Sequence, residues 1–289
     1  MLVPLHMEWR DALFTNWAVE PSVVAPHVPD SVSLDTYDGR AWLTVLPFVN
    51  ADVRPHWFPR GVRIPEVNLR TYVTRERRPA IYFRSLEASD RLTVLGARAT
   101  HFLPYYVADI DFDRTDGGVR VESRRRHPGA RPARFVAECG PDDERVETEP
   151  GSLAEFLTER HRYYTVSPSG RLRYADVRHR KWPLYSADAT VAENTVFRAN
   201  SLPDPDGEPV VYYSPGVEVL ASPSRRWTDA GRSGAGGSRL PWDPSRTARE
   251  IKPHLLGETR SHTREIRRYN RSNKPTVSPT SLYGWCVLT

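Results

Sequence analysis

Short runs rich in valine, threonine and aromatic residues recur along most of the chain, separated by glycine, proline and aspartate turn signals. β-Branched and aromatic residues favour the pleated backbone of a sheet, and turn-bounded runs of this length are typical of strands. The predicted strands lie at 68–73, 80–88, 91–103, 106–112, 119–125, 134–139, 171–180, 189–197, 210–213 and 216–221. The pattern therefore predicts a mainly β domain of antiparallel strands with a few short helices.

The N-terminal segment does not follow this strand pattern. Trp9, Leu13, Phe14 and Trp17 have the spacing of one apolar helix face, which predicts an amphipathic helix over 7–17. The proline-bounded residues 21–29 suit a second helical turn. Residues 31–50 then predict two strands around a turn at Tyr37-Asp38-Gly39, because Asp-Gly favours tight hairpin turns. Residues 51–64, rich in proline and aromatics, predict a loop.

One further helix is predicted at 151–165. Ser152 can cap its N-terminus, and Glu155 follows three residues later, which is the spacing of a capping box. Leu153, Phe156 and Leu157 supply the apolar stripe that would pack on the sheet.

Composition limits the class of protein. The 289 residues are 39% hydrophobic, so the chain can bury a sizeable core, while 26 prolines argue against a helix bundle. No apolar run reaches about 18 residues, so neither a membrane-spanning helix nor a membrane partner is predicted. The only cysteines are Cys139 and Cys286, which favours a reducing cytoplasm over a disulfide scaffold.

The positive charge lies in one segment. Residues 228–289 contain eleven basic and five acidic side chains, a balance of +6. The remaining residues contain 30 basic and 31 acidic side chains, a balance of −1. We therefore expect one domain over 1–227, with no nucleic-acid partner. The Gly/Ser/Pro/Arg-rich tail at 228–289 is predicted to be disordered.

Common catalytic motifs are missing from the sequence. It contains no phosphate-binding GxxxxGK[ST], no zinc-binding HExxH and no GxSxG nucleophile elbow. Two cysteines alone cannot form a zinc cluster. His179 could be a metal ligand, although a solvated or pocket-lining strand histidine is the more common case. We therefore predict neither a metal nor a cofactor.

Several segments together resemble the YqjF-like family of uncharacterised bacterial and archaeal proteins, which is grouped with acetoacetate decarboxylase. The resemblance covers about residues 5–227 and rests on the order and spacing of 15–48, 65–73, 96–110, 151–165 and 179–195. It implies a β-barrel or cone of strands around an apolar pocket.

The resemblance also permits a chemical test. Acetoacetate decarboxylase uses a Schiff-base lysine with a second lysine beside it, and the neighbouring charge lowers the pKa of the nucleophile. The segment that looks equivalent here ends in Tyr105 and Tyr106, and a phenol cannot form an imine. Lys181, the only lysine of 1–227, lies in a different segment. Imine chemistry is therefore not predicted, unless Lys181 reaches the pocket.

Other residues could give the pocket a polar wall. Glu66, Asn68 and Arg70 alternate along a predicted strand, so they share one face. Pointing inward, Glu66 would serve as an acid or base and Arg70 would hold a carboxylate. The alternative is that this face is solvated while Val67, Leu69 and Thr71 point inward.

Three further side chains complete the predicted site. Tyr105 or Tyr106 could donate a hydrogen bond to a carbonyl oxygen or act as a weak acid, and His101 could contact a ligand or be structural.

Three functions remain open from the sequence. The first is an enzyme or enzyme relative that acts without a Schiff base on a small carbonyl or carboxylate metabolite. The second is a non-catalytic protein that binds a small ligand. The third is a nucleic-acid- or membrane-binding tail attached to an inert domain. A homo-oligomer also stays open.

Overall fold

The computed structural model describes residues 4–55, 57–115 and 118–228. The predicted tail therefore lies outside the described residues, apart from Thr228. Thirteen strands join one sheet in this part of the chain. They are β1 Leu5–Val19, β2 Ser33–Leu34, β3 Ala41–Pro55, β4 Val62–Arg75, β5 Arg78–Ala88, β6 Tyr105–Thr115, β7 Gly118–Arg125, β8 Arg134–Val146, β9 Arg162–Val166, β10 Leu172–His179, β11 Leu184–Asn194, β12 Val210–Ala221 and β13 Arg225–Arg226.

Helices are short and lie between the strands. They are α1 Pro21–Val24 with a following 3₁₀ turn at Ala25–His27, α2 Arg91–Thr100, α3 Leu153–Thr158 and α4 Val196–Ala199. Within the described ranges, no helix has the length and apolar character needed to cross a bilayer. The mainly β prediction with a few short helices is confirmed.

The sheet closes on itself twice. Pairing of β4 with β5 and of β10 with β12 produces a ring of β1, β3, β4, β5, β9, β10 and β12, here called the cavity ring. A second ring, the core ring, continues from β5 through β6, β7, β8 and β11 back to β12. The two rings share β12, β1, β3, β4 and β5, and closure leaves these strands without open edges. The expected barrel-like architecture is confirmed.

The interiors of the two rings differ. The core ring is filled by apolar side chains, among them Leu43, Leu69, Phe135 and Phe197, all fully buried. The cavity ring instead encloses an open space at its centre. Strands of the shared wall are consequently covered on both faces, and β3 and β4 are buried over most of their length.

The predicted helix over 7–17 is wrong, because this segment lies within β1. β1 pairs with both β12 and β3, and its register with β3 shifts between Arg10 and Thr15. Asp11 there has a positive φ of 52°, which marks an irregularity in the strand. The shift breaks the two-residue alternation and leaves Trp9, Leu13, Phe14 and Trp17 at helix-like spacing.

The predicted strand over 91–103 is also wrong, since α2 occupies Arg91–Thr100. The Asp90 side chain accepts a hydrogen bond from the Thr93 amide (2.6 Å), which caps this helix. The helix predicted over 151–165 is shorter than expected. Ser152 caps α3 as predicted, but the chain returns to strand at Arg162.

The predicted hairpin over 31–50 is wrong in its pairing. Tyr37 and Arg40 do form a tight turn, but β2 pairs with β4 and not with β3. The predicted loop over 51–64 is largely strand, because β3 extends to Pro55 and β4 begins at Val62.

Gly216 supports a test of the packing between β1 and β12. Its φ is +137°, and a Cβ at this position would collide with the Trp9 carbonyl oxygen. Gly216→Ala is expected to cost about 2–4 kcal/mol of unfolding free energy, because both backbone strain and overlap oppose it. Gly39→Ala is the matched control, since its φ is also positive (+73°) but no atom lies within 4 Å of the added Cβ. Equal losses in urea unfolding for the two variants would contradict the proposed collision.

Candidate functional site

A cavity of about 140 Å³ lies inside the cavity ring, and all seven of its strands contribute to the lining. An engineered cavity of about 150 Å³ in another protein holds benzene, so this space suits a small ligand. Most of the wall is apolar. Polar groups include Asn50, Glu66, Asn68, Arg70, His101 and Tyr105.

The two-residue alternation along β4 directs its polar side chains into the cavity ring and its apolar side chains into the core ring. Glu66, Asn68 and Arg70 line the cavity and are only 3–4% exposed. Val67 and Leu69 point the other way, into the packed core. The alternative of a solvated polar face is therefore wrong, because both faces of this strand are covered. The apolar residues fill one ring and the polar residues reach the other.

Glu66 is buried and hydrogen-bonded. Its Oε2 accepts from the Tyr105 hydroxyl (2.9 Å) and from the Asn50 amide (3.2 Å). Burial raises the pKa of Glu66 to about 7, although hydrogen bonds from Tyr105, Asn68 and Asn50 oppose the shift. A carboxyl group with such a pKa can accept or donate a proton near neutral pH.

Arg70 is a buried cation without an acidic partner among the described residues. Its Nη2 donates to the Leu157 carbonyl (3.0 Å), and its guanidinium lies 5.3 Å from the centre of the Phe14 ring. Its Nε and the Oδ1 of Asn68 are buried without a hydrogen-bond partner in the described part of the chain. The cavity therefore offers unused polar atoms beside a positive charge.

The two adjacent tyrosines point to different places. β6 runs parallel to β5 and pairs Tyr105 with Leu86 and Tyr106 with Glu87. Leu86 faces the cavity, so Tyr105 does too, and burial together with nearby Glu66 raises the pKa of Tyr105 well above its usual value. Tyr106 faces away and lies under the Arg125 guanidinium, 4.0 Å from the ring centre. Tyr106 therefore does not join the cluster predicted from sequence.

The two remaining predicted residues have separate positions. His101 lines the cavity, and its Nδ1 lies 2.5 Å from the Tyr163 hydroxyl. Burial and the nearby Arg173 lower the pKa of His101, which favours the neutral ring. Lys181 is not among the cavity-lining residues, and its Nζ donates to the Thr148 carbonyl (2.9 Å).

Glu159, His161 and His179 are the described residues that could hold a metal ion. Their donor atoms lie within 4.8 Å of one another. The Arg180 carbonyl accepts from Nδ1 of His179 (2.8 Å), and the Trp182 amide donates to one oxygen of Glu159 (3.0 Å), so both residues already have hydrogen-bond partners. Ligands of one zinc ion lie about 3–3.5 Å apart, so the exposed His161 would have to move closer.

Sequence reasoning missed Asn50 and Tyr163. Both line the cavity, and they hydrogen-bond Glu66 and His101 respectively. Asn50 ends a long apolar run in β3, which is a detectable signal for a polar group at a buried position. Tyr163 offers no such signal, because its partner is 62 residues away.

The chain is similar to several known proteins. It is 38% identical over 227 residues to the uncharacterized protein YqjF of Bacillus subtilis, covering 78% of this chain and 93% of that protein. Two solved structures are similar in fold. Acetoacetate decarboxylase from Legionella pneumophila has a TM-score of 0.58 at 10% identity, covering 78% of this chain and 88% of that one.

The second structure is the enduracididine biosynthesis enzyme MppR complexed with pyruvate. It has a TM-score of 0.56 at 14% identity and covers 79% of this chain and 92% of that one. At such identities the likeness concerns the fold. The family model of the DUF2071 uncharacterized conserved proteins matches residues 6–218. Together with the YqjF similarity, this match means that the chain belongs to the DUF2071 family, on a fold of the acetoacetate decarboxylase type.

Proposed function

We propose that this protein is an acid–base catalyst that acts, without an imine, on a small carboxylate bearing a carbonyl group. The observation that carries the proposal is Arg70, a buried cation without an acidic partner in the described residues, in one cavity with Glu66 and Tyr105.

A buried charge is costly unless it is paired, so the Arg70 site favours an anionic ligand. A guanidinium can bind a carboxylate through two parallel hydrogen bonds. The cavity volume of about 140 Å³ limits the ligand to a small metabolite. The pyruvate bound to MppR is a carboxylate with an adjacent carbonyl, which is the class proposed here.

Glu66 is suited to move a proton at neutral pH. As a carboxylate it would take a proton from the carbon next to the substrate carbonyl, and the C–H electron pair would move to the carbonyl oxygen to form an enolate. Returning a proton to the carbon regenerates the keto acid with exchange of its hydrogen, and returning it to the oxygen gives the enol isomer. Tyr105 remains protonated because its pKa is raised. As Glu66 takes up the substrate proton it no longer needs the Tyr105 hydrogen bond, so the hydroxyl can turn from Glu66 and donate to the developing oxyanion. The rate should rise as the pH passes about 7, the pKa of Glu66.

The position of the lysine argues against an imine. Lys181 donates to the Thr148 carbonyl and is not among the cavity-lining residues, while Tyr105 occupies the cavity. Among the described residues, no other lysine is available to form an imine with a carbonyl carbon.

A second candidate function is ligand binding without turnover. The mainly apolar wall, with Leu46, Phe48, Ile81 and Phe83, favours it, because an apolar enclosure by itself can retain a small molecule. Both candidates require binding, and proton exchange distinguishes them.

Replacing Arg70 tests the binding step. In calorimetric titrations, Arg70→Met is expected to weaken binding of pyruvate or acetoacetate about 10–100-fold, because a charge-assisted hydrogen-bond pair is lost. Acetone, which lacks the carboxylate, should show no such difference. Arg171→Met, in an exposed turn, is the control. Unchanged carboxylate affinity in Arg70→Met would overturn the proposed anchor.

Exchange of carbon-bound protons for deuterium tests the chemistry. NMR in D₂O should show exchange next to the carbonyl of a bound 2-oxo or 3-oxo acid, and Glu66→Gln should abolish it while retaining binding. Borohydride should not inactivate the protein in the presence of these acids. Trapping by borohydride would demand an imine and contradict the mechanism, and binding without exchange would favour the non-catalytic candidate.

A further inference from the structure

A second pocket lies on the other side of β5 and β6 from the cavity. It has a volume of about 510 Å³ and a mainly polar lining. Four arginines from separate parts of the chain line it, together with Tyr106 and His127. They are Arg84, Arg98, Arg125 and Arg131, and this arrangement is here called the arginine pocket.

A β-bulge turns Arg84 toward this pocket. In the pairing of β4 with β5, Leu69 is opposite Ser85, but Arg70 is opposite Phe83. Arg84 is therefore an extra residue in β5, and a bulge re-aims the side chain that it carries. Phe83 lines the cavity whereas Arg84 lines the arginine pocket.

Arg84 is held by neutral groups. Its Nη1 donates to the His27 carbonyl (2.6 Å) and its Nη2 to the Asn200 carbonyl (3.3 Å). Its Nε is buried without a hydrogen-bond partner in the described residues. Burial lowers the pKa of Arg84 from its usual value, as expected for a cation that lacks a compensating acid.

Arg98 and Arg131 are likewise held by neutral oxygens. Arg98 Nη1 donates to the Tyr105 carbonyl (2.6 Å), and Arg131 Nη1 donates to the Ser201 hydroxyl (2.8 Å). Of the four arginines, only Arg125 forms an ion pair in the described part of the chain. Several arginines elsewhere in the described residues do pair with acids, as Arg162 does with Asp176 and Arg160 with Asp35.

The arginines give the pocket a positive electrostatic potential, and this potential acts on the nearby His127. Burial lowers the pKa of His127, and the charges of Arg98 and Arg125 lower it further. Three arginines without acidic partners among the described residues, gathered in one concave site, give it a positive potential that favours an anionic ligand.

We infer that the arginine pocket binds the phosphate group of a small molecule. A phosphate carries up to two charges and several acceptor oxygens, which match the forked donors of several arginines. The volume of about 510 Å³ exceeds what one phosphate needs, so a phosphorylated metabolite fits better than free phosphate. The His127 ring, which packs edge-to-face against Tyr106 with the ring centres 5.4 Å apart, offers a surface for the attached group. The inference does not depend on the function proposed for the cavity.

Calorimetric titration of the full chain tests the pocket, with inorganic phosphate, glucose 6-phosphate and AMP as probes and chloride at matched ionic strength as the reference. All three probes should bind. Tighter binding of the organic phosphates would identify a metabolite, and equal affinity would identify the phosphate ion itself. The double variant Arg98→Gln/Arg131→Gln should bind about 100-fold more weakly, because each lost charged contact costs about 10-fold. Binding should also weaken as salt rises.

Both replaced arginines are exposed, so the double variant should fold, and its melting temperature checks this. Arg120→Gln/Arg171→Gln is the matched control, with the same charge loss on other exposed positions. The inference is overturned if none of the probes binds at millimolar concentration. It is also overturned if the two double variants weaken binding equally, because the attraction would then come from overall charge.

Discussion

Replacing Glu87 with alanine is expected to lower the free energy of unfolding by about 3–5 kcal/mol, because it leaves the buried Arg125 cation without a partner. Both side chains are almost fully buried, at 2% and 3% exposure. Glu87 Oε1 accepts from Nε (3.0 Å) and from Nη2 of Arg125. The pair joins β5 to β7, two strands that are not neighbours in the sheet. Urea unfolding measures the loss.

A double variant tests whether the two buried charges stabilise each other. Glu87→Leu/Arg125→Met should be more stable than either single replacement, since removing both charges avoids an unpaired one. An exposed pair such as Arg145 with Glu147 is the control, and breaking it should cost under about 1 kcal/mol. Additive losses from Glu87 and Arg125 would mean that the two charges do not interact.

Glu66→Gln should remove a pH dependence from stability. In the unfolded chain this carboxyl loses its proton near pH 4.5, but in the folded protein it does so at about 7. Between these two pH values the carboxyl group is ionised in the unfolded chain but still protonated in the folded protein. Raising the pH therefore stabilises the unfolded state only. The free energy of unfolding of the wild type should therefore fall by about 3 kcal/mol as the pH rises through this window, since each pKa unit corresponds to about 1.4 kcal/mol.

The Glu66→Gln variant should not show this loss of stability between pH 4.5 and 7. The difference in unfolding free energy between Glu66→Gln and the wild type should grow from pH 4.5 to 7 and stay constant above it. Glu138→Gln, at an exposed position, should show no such growth. A difference that is flat with pH would mean that Glu66 is ionised in the folded state at mildly acidic pH.

Strand content was predictable because β-branched and aromatic runs mark strands locally. The runs at 119–125 and 134–139 correspond to β7 and β8. Closure into two rings was not readable from these runs, because it depends on the pairing of β10 with β12, whose residues lie far apart in sequence. The family resemblance, and not the periodicity, carried the expectation of a barrel.

Local patterns were misleading in two places. The irregularity at Asp11 produced the helix-like spacing in β1. For α2, the apolar residues of 91–103 also suit a strand, which is why a strand was predicted there. Two of them, Leu92 and Leu95, are in fact exposed.

Part of the candidate site was readable by counting alone. The two-residue alternation of β4 placed Glu66, Asn68 and Arg70 on one face, and that grouping is present in the structure. The direction of Tyr105 and Tyr106 was not readable, because it is set by the parallel register of β6 against β5.

The shared wall has a consequence for how this family can diversify. Between Glu66 and Arg70, the even-numbered positions of β4 line the cavity while Val67 and Leu69 pack in the core. Replacements at 66, 68 and 70 can therefore change the polarity and shape of the cavity, while Val67 and Leu69 keep the packed core intact. Relatives can thus change the cavity lining one side chain at a time. Selection for a stable fold acts on the alternate residues of the same strand.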